Sequence, residues 1–147
     1  MSAAENPFLI SIHPQYVHAI LAGAKTVECR KSRIGLSPGA HLFLYATAPE
    51  MAILGQADVV AIHEGSPAEM WDQHADKTCV READFFRYYA ESKKATLLAL
   101  ANVEVFRKPV PLAQLRVLEP RFSPPQTARR LSSAFDCIPH LGRSAVI

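Results

Sequence analysis

Gly23-Ala24-Lys25-Thr26-Val27-Glu28-Cys29-Arg30 decides how the rest of this chain is read. The stretch follows a short helical pattern and has the alternation of a strand. Alternation places Thr26, Glu28 and Arg30 on one face and Val27 and Cys29 on the other. Lys25 stands at the strand's start, where its stem can turn to either face. A small domain gains little from charges on a short strand, so these groups are candidates to meet a ligand. The competing structural reading is a solvated face with an internal Glu28–Arg30 contact, and exposed pairs of that kind are common and weak.

Working outward, Phe8 to His13 is a short apolar run rich in β-branched residues and predicts a strand. Pro14 suits the first turn of a helix. Val17, Ile20 and Leu21 recur at helical spacing, and Gly23 supplies a left-handed stop. His41 to Ala48 predicts a strand with Leu42, Leu44 and Ala46 on one face and Phe43, Tyr45 and Thr47 on the other. Ile53 to His63 predicts a long strand with a bulge or close approach at Gly55. Ser66-Pro67 opens a helix through Met70 and Trp71, and a second helix is expected over Arg81 to Glu91, with Phe85, Tyr88 and Tyr89 facing inward. Thr96 to Val105 predicts a strand broken by Pro109 and Pro111, then a turn at Leu112 to Leu115. A short helix is expected over Gln126 to Leu131. The connections at Pro38 and Pro49 are too short for βαβ crossovers, so the pattern points to an α+β fold or small barrel, not a parallel sheet.

The chain has 147 residues and 49% hydrophobic residues, which fits a single domain over 1–147 with a real core. A net charge of +2 does not by itself announce a nucleic-acid binder. Its distribution is uneven. Arg107, Lys108, Arg116, Arg121, Arg129, Arg130 and Arg143 face only Glu119 and Asp136 in the last part of the chain, whereas acidic residues gather between Glu64 and Glu91. Cys29, Cys79 and Cys137 are scattered, with no zinc-site spacing, and are expected to be reduced thiols of a cytoplasmic protein. The N-terminus lacks a signal-peptide pattern and no stretch has the length of a membrane span, so a soluble protein without membrane partners is expected. No histidine pair has ligand spacing on a helix, and neither a metal nor another cofactor is expected.

The order of strand, Pro-started helix and Gly-x-Lys-x-x-Glu-x-Arg strand resembles the ASCH domain family of the PUA-like superfamily. Leu44 to Pro49 followed by Ile53-Leu54-Gly55, the helix at Arg81 to Tyr89, and Val103 to Leu115 with Phe106 and Pro111-Leu112 agree with it. The resemblance covers about residues 7–116, leaving 117–147 as a C-terminal extension. It implies an α+β fold built on a small mixed β-barrel with inserted helices and a cleft beside the charged strand. It also implies work on RNA, a nucleotide or a modified nucleoside, as a binding or regulatory domain or, alternatively, as a hydrolase. Some members of the family are ribonucleases. Superfamily amidohydrolases that deacetylate N4-acetylcytidine use a Lys, a Thr and a Glu; Lys25 matches that lysine, but Glu28 stands at the threonine position. Asp72 and Asp76 lie in the region of the third residue, with no motif to choose between them.

Lys25, Glu28 and Arg30 are therefore the expected floor of the cleft. Lys25 and Glu28 are the proton-transfer candidates if the protein is an enzyme, and Arg30 the phosphate ligand. Lys31 and Arg33 extend the charge and can steer an acidic partner, or simply solubilise a turn. Tyr45 is a candidate to stack a base, with Thr47 on the same face. Ser11 and His13 border the expected cleft. Arg129 and Arg130, on one turn of the expected C-terminal helix, are candidates for phosphate contacts.

Overall fold

The structure, a computed structural model, describes residues 7–144. Six strands form one curled sheet in the order β2-β5-β4-β3-β1-β6. They are β1 (Phe8–Ile12), β2 (Val27–Arg30), β3 (His41–Ala46), β4 (Ala52–Gly65), β5 (Ala95–Pro111) and β6 (Ala128–Arg130). The helices are α1 (Pro14–Leu21), α2 (Pro67–Thr78), α3 (Glu82–Tyr88), α4 (Leu112–Leu118) and α5 (Ile138–Arg143), with a 3-10 turn at Ser133–Phe135. The β1–β3 pair is parallel and every other pair is antiparallel. The result is a mixed α+β half-barrel.

The curl has identifiable causes. Register shifts fall between Leu44 and Tyr45 on β3 and at three places on β4, and each bulge increases local twist. Gly55 lies at one of them. A Cβ there would stand 2.4 Å from the Glu104 carbonyl oxygen and 2.7 Å from the Leu21 side chain. Gly55 thus lets β5 and α1 approach β4 from both sides.

Both faces of the sheet are covered, so alternation divides residues between two cores instead of between core and water. Leu42, Leu44 and Ala46 join Ile10, Val17 and Ile20 under α1, whereas Phe43 and Tyr45 join Leu9, Phe106, Phe122 and Phe135 under the C-terminal segment. A third cluster, around Met70, Phe85, Tyr89 and Leu97, seats α2 and α3 on the sheet.

Gly23 ends α1 at φ +84°, as its sequence position predicts. Three expectations are corrected. β5 does not break at Pro109 but runs through Pro111, pairing with β4. β2 covers β5 only from Thr96 to Ala99, so the later part of β5 has an edge where a missing N–H goes unnoticed. The segment expected as a helix over Gln126 to Leu131 instead holds β6, antiparallel to β1, because the exposed edge of β1 needs a partner. Thr26 lies outside β2 and is exposed, so it does not share a face with Glu28 and Arg30.

Candidate functional site

The sheet is not closed: β2 is one edge, and β1 with β6 forms the other. At this seam a side chain replaces the missing ladder. The Arg30 Nη2 donates to the Ser11 carbonyl oxygen at 2.8 Å, tying β2 to β1. A cavity of about 430 Å³ opens along the seam, within the range of small-molecule sites. Ser11, Ile12 and His13 of the β1 end, Tyr16 of α1, and Lys25, Glu28, Cys29 and Arg30 form part of its wall. Thr47, Val80, Asp84, Phe85, Tyr88, Gln126 and Thr127 complete it.

The three charged heads meet inside this wall. Arg30 Nε and Nη2 lie 3.0 and 2.9 Å from Glu28 Oε2, and Lys25 Nζ lies 3.5 Å from Glu28 Oε1. All three residues are buried, Lys25 to 1% exposure. Taking such groups out of water is costly unless each is answered by a partner. Lys25 has three: Glu28, the face of Tyr16 at 5.0 Å, and the Thr78 carbonyl oxygen at 2.5 Å. That carbonyl ends α2, where left-handed Cys79 (φ 54°) turns the chain away. The ammonium thus caps the negative end of a twelve-residue helix. These contacts use the Lys25 nitrogen as a hydrogen-bond donor to its neighbours. Glu28 Oε1 is the less engaged carboxylate oxygen. Among the described residues, Arg30 Nη1 makes no hydrogen bond, so the guanidinium keeps a donor for a ligand.

Ser11 adds an independent sign of a ligand. It is 6% exposed, and its Oγ is buried with no hydrogen-bond partner among the described residues. Buried hydroxyls are ordinarily satisfied. Beside the trio, burial pushes the Cys29 thiol up to about 11, so it stays protonated near neutrality. Burial also raises Tyr88 and Tyr89, and the Tyr89 hydroxyl donates to the Arg30 carbonyl oxygen at 2.8 Å, fixing β2 against α3. Hydrogen bonds from Arg87 and Arg81 hold the Asp84 carboxyl below the usual range. Asp84 is thereby answered from outside, and the Lys25–Glu28–Arg30 trio leaves one positive charge in excess.

The structure brings Ser11, His13, Lys25, Glu28, Arg30 and Thr47 to one cavity. It separates the others. Tyr45 is 2% exposed in the second core, too buried to offer a stacking face, and lines a neighbouring hollow instead. Lys31 lies over the Tyr88 ring at 4.9 Å, and Arg33 pairs with Glu64 at 3.1 Å. Arg129 and Arg130 lie on β6 over the rings of Phe122 and Phe8, outside the cavity wall. Asp72 and Asp76 are exposed on α2 and are not part of the wall either. Sequence reasoning missed Tyr88, expected to pack inward but 42% exposed at the cavity wall, and missed Gln126 and Thr127. For Tyr88 a signal existed: with Tyr89 already inward, its neighbour on a helix points elsewhere. Among the described residues no group of His, Cys, Asp and Glu side chains is placed to hold a metal ion, and no helix is long and apolar enough to cross a membrane.

Comparison with known proteins adds to this geometry. A family model described as ASCH domain matches residues 10–110. A curated protein of Zymomonas mobilis subsp. mobilis named ASCH domain-containing ribonuclease is 33% identical over 120 residues, which is 81% of this chain and 80% of that protein. The crystal structure of an ASCH protein from Zymomonas mobilis superposes with a TM-score of 0.86 at 30% identity, covering 92% of this chain and 95% of that one. A point mutant of the Zymomonas mobilis protein superposes at 0.87 with 28% identity, covering 95% and 99% of the two chains.

Proposed function

Because this chain belongs to the ASCH domain family, we propose that it is an RNA-directed domain whose seam cavity receives one nucleotide of a single strand. The observation that carries this reading is the pairing of a desolvated, net-positive trio with the unanswered Ser11 hydroxyl in one cavity. Arg30 takes a phosphate oxygen through its remaining donor, Ser11 Oγ gives a second hydrogen bond, and the Tyr88 ring, held with Lys31 over it at 4.9 Å, packs against a base at the wall. Single strands fit because an unstacked base enters such a cavity and a paired one does not.

Fluorescence anisotropy with labelled single-stranded and duplex RNA tests this. Wild type should bind the single strand saturably and the duplex more weakly. Ser11→Ala, which removes a hydroxyl without a hydrogen-bond partner among the described residues, should weaken single-strand binding several-fold while leaving the thermal midpoint in place. Arg30→Ala should weaken it by roughly ten-fold or more. Equal affinity of wild type and both variants would refute the reading.

A second reading, cleavage of the bound strand, is favoured by the name of the Zymomonas mobilis relative and by the placement of Glu28. Glu28 Oε1 would take the proton of a ribose 2′-hydroxyl as that oxygen forms a bond to the adjacent phosphorus. The P–O5′ bond breaks, the 5′ oxygen takes a proton from water, and Glu28 returns its proton to solvent. Lys25 and Arg30 hold Glu28 in position, and Arg30 answers the charge that builds on the phosphorus oxygens. The products would be a 2′,3′-cyclic phosphate and a 5′-hydroxyl. Gel analysis of a labelled oligonucleotide decides it: Glu28→Gln should abolish cleavage with binding retained, and a 3′-hydroxyl end would refute this chemistry. Nucleoside deacylation has less support, since Glu28 replaces the threonine and neither Asp72 nor Asp76 reaches the wall.

A further inference from the structure

A second hollow of about 520 Å³ adjoins the seam cavity, and Ser11, His13, Thr47 and Gln126 line both. These residues form a ridge between two compartments. The far compartment differs in chemistry. Its walls are largely apolar, with Met51, Leu112, Pro124 and Pro125, and they carry one cation, Arg116. Arg116 stands exposed on α4 with its Nε donating to the Phe122 carbonyl oxygen at 3.1 Å, which fixes the guanidinium in place. Among the described residues it has no ion-pair partner, whereas Arg33, Arg81, Arg87 and Arg143 each have one. An anchored arginine without a carboxylate, at the rim of an apolar hollow, suits a phosphate beside a flat apolar ring.

We infer that the two hollows are adjacent nucleotide subsites, so that the ligand is a polynucleotide strand crossing the Ser11 ridge, with Arg116 anchoring the phosphate of the second nucleotide. The inference rests on the reading of the seam cavity given above. It assigns the unanswered Ser11 Oγ to the phosphodiester that bridges the two compartments. Arg30 lies behind the ridge, bound to the Ser11 carbonyl oxygen, and supplies charge from the other side. The ring of the second nucleotide rests on Pro124 and Pro125, where apolar surface accepts any base. A free nucleoside would leave the far compartment unused.

Titration calorimetry with a uridine 5′-monophosphate and with a 2′-O-methyl di- and tetranucleotide, which cannot be cleaved through the 2′ oxygen, tests this. The oligonucleotides should bind roughly ten-fold or more tightly than the mononucleotide. Arg116→Gln should remove most of that advantage, leave mononucleotide affinity unchanged, and lower the slope of log affinity against log salt by about one ion contact. Arg116→Lys should keep the slope. Equal affinity for the mononucleotide and the oligonucleotides, or an Arg116→Gln variant that binds both as wild type does or weakens both alike, would overturn the second subsite while leaving the first. Absence of binding by any of these ligands would instead overturn the seam-cavity reading and the second subsite with it.

Discussion

Removing Glu28 should cost this fold more than removing Lys25, although both side chains are buried in the same cluster. Glu28 is the one anion between two cations, at 2.9 and 3.5 Å from Arg30 and Lys25. Glu28→Ala leaves two buried positive charges facing each other, and breaking a buried pair in this way costs about 3–5 kcal/mol. Lys25→Met keeps the volume, gives up the hydrogen bond to the Thr78 carbonyl and the longer contact to Glu28, and leaves Glu28 still answered by Arg30. That loss is worth about 1–3 kcal/mol. The double variant should be less destabilised than the sum of the two, because with Lys25 gone Arg30 is the one cation left to be unanswered. Urea unfolding followed by circular dichroism measures all three, with the midpoint shifting at constant slope. In thermal melts the Glu28→Ala loss corresponds to roughly 6–20 °C for a chain of this size. A Glu28→Ala loss below about 1 kcal/mol, or one smaller than that of Lys25→Met, would mean that water solvates the trio and that the buried-charge argument is wrong.

Gly55→Ala should destabilise the protein by about 1–3 kcal/mol, since its new Cβ meets backbone at Glu104 and cannot be accommodated by rotating a side chain; an unchanged urea midpoint would refute the close approach. His74 is buried in a stack with His63 at 4.4 Å and has no hydrogen-bond partner on either ring nitrogen among the described residues. Burial, then His63 and Lys77, lowers its pKa, with Asp76 opposing. The unfolded chain therefore takes up the proton more readily, and stability present above the unfolded value of 6.5 should be lost as pH falls below it. Unfolding at pH 7.5 and at pH 5 should show this slope in wild type and a smaller one in His74→Phe; identical slopes would refute it. Cys29 should resist iodoacetamide near pH 8 while exposed Cys79 is alkylated, because the Cys29 thiol is pushed up to about 11; mass spectrometry showing equal labelling would contradict that.

The sequence alone determined the local pieces. Pro14 and Gly23 bracket α1 because one fixes a helical φ and the other tolerates a positive one. Ser66 and Glu69 form the capping box that starts α2. Alternation along β3 separated Leu42 and Leu44 from Phe43 and Tyr45, and alternation along β2 put Glu28 and Arg30 together. Each of these follows from dihedral preferences or side-chain period within a few residues. Tertiary structure decided where the pieces meet. Period two cannot say that both faces of β3 are buried, which is why Tyr45 is core. Proline and glycine patterns cannot say that the tail pairs with β1, which is why Arg129 and Arg130 lie on a strand. The cavity depends on contacts between distant parts of the chain: Arg30 to Ser11, Lys25 to Thr78, and Tyr89 to Arg30. No local propensity encodes them. They arise when bulges curl the sheet until its two edges face one another, and the buried Ser11 hydroxyl, without a hydrogen-bond partner among the described residues, is left at the seam.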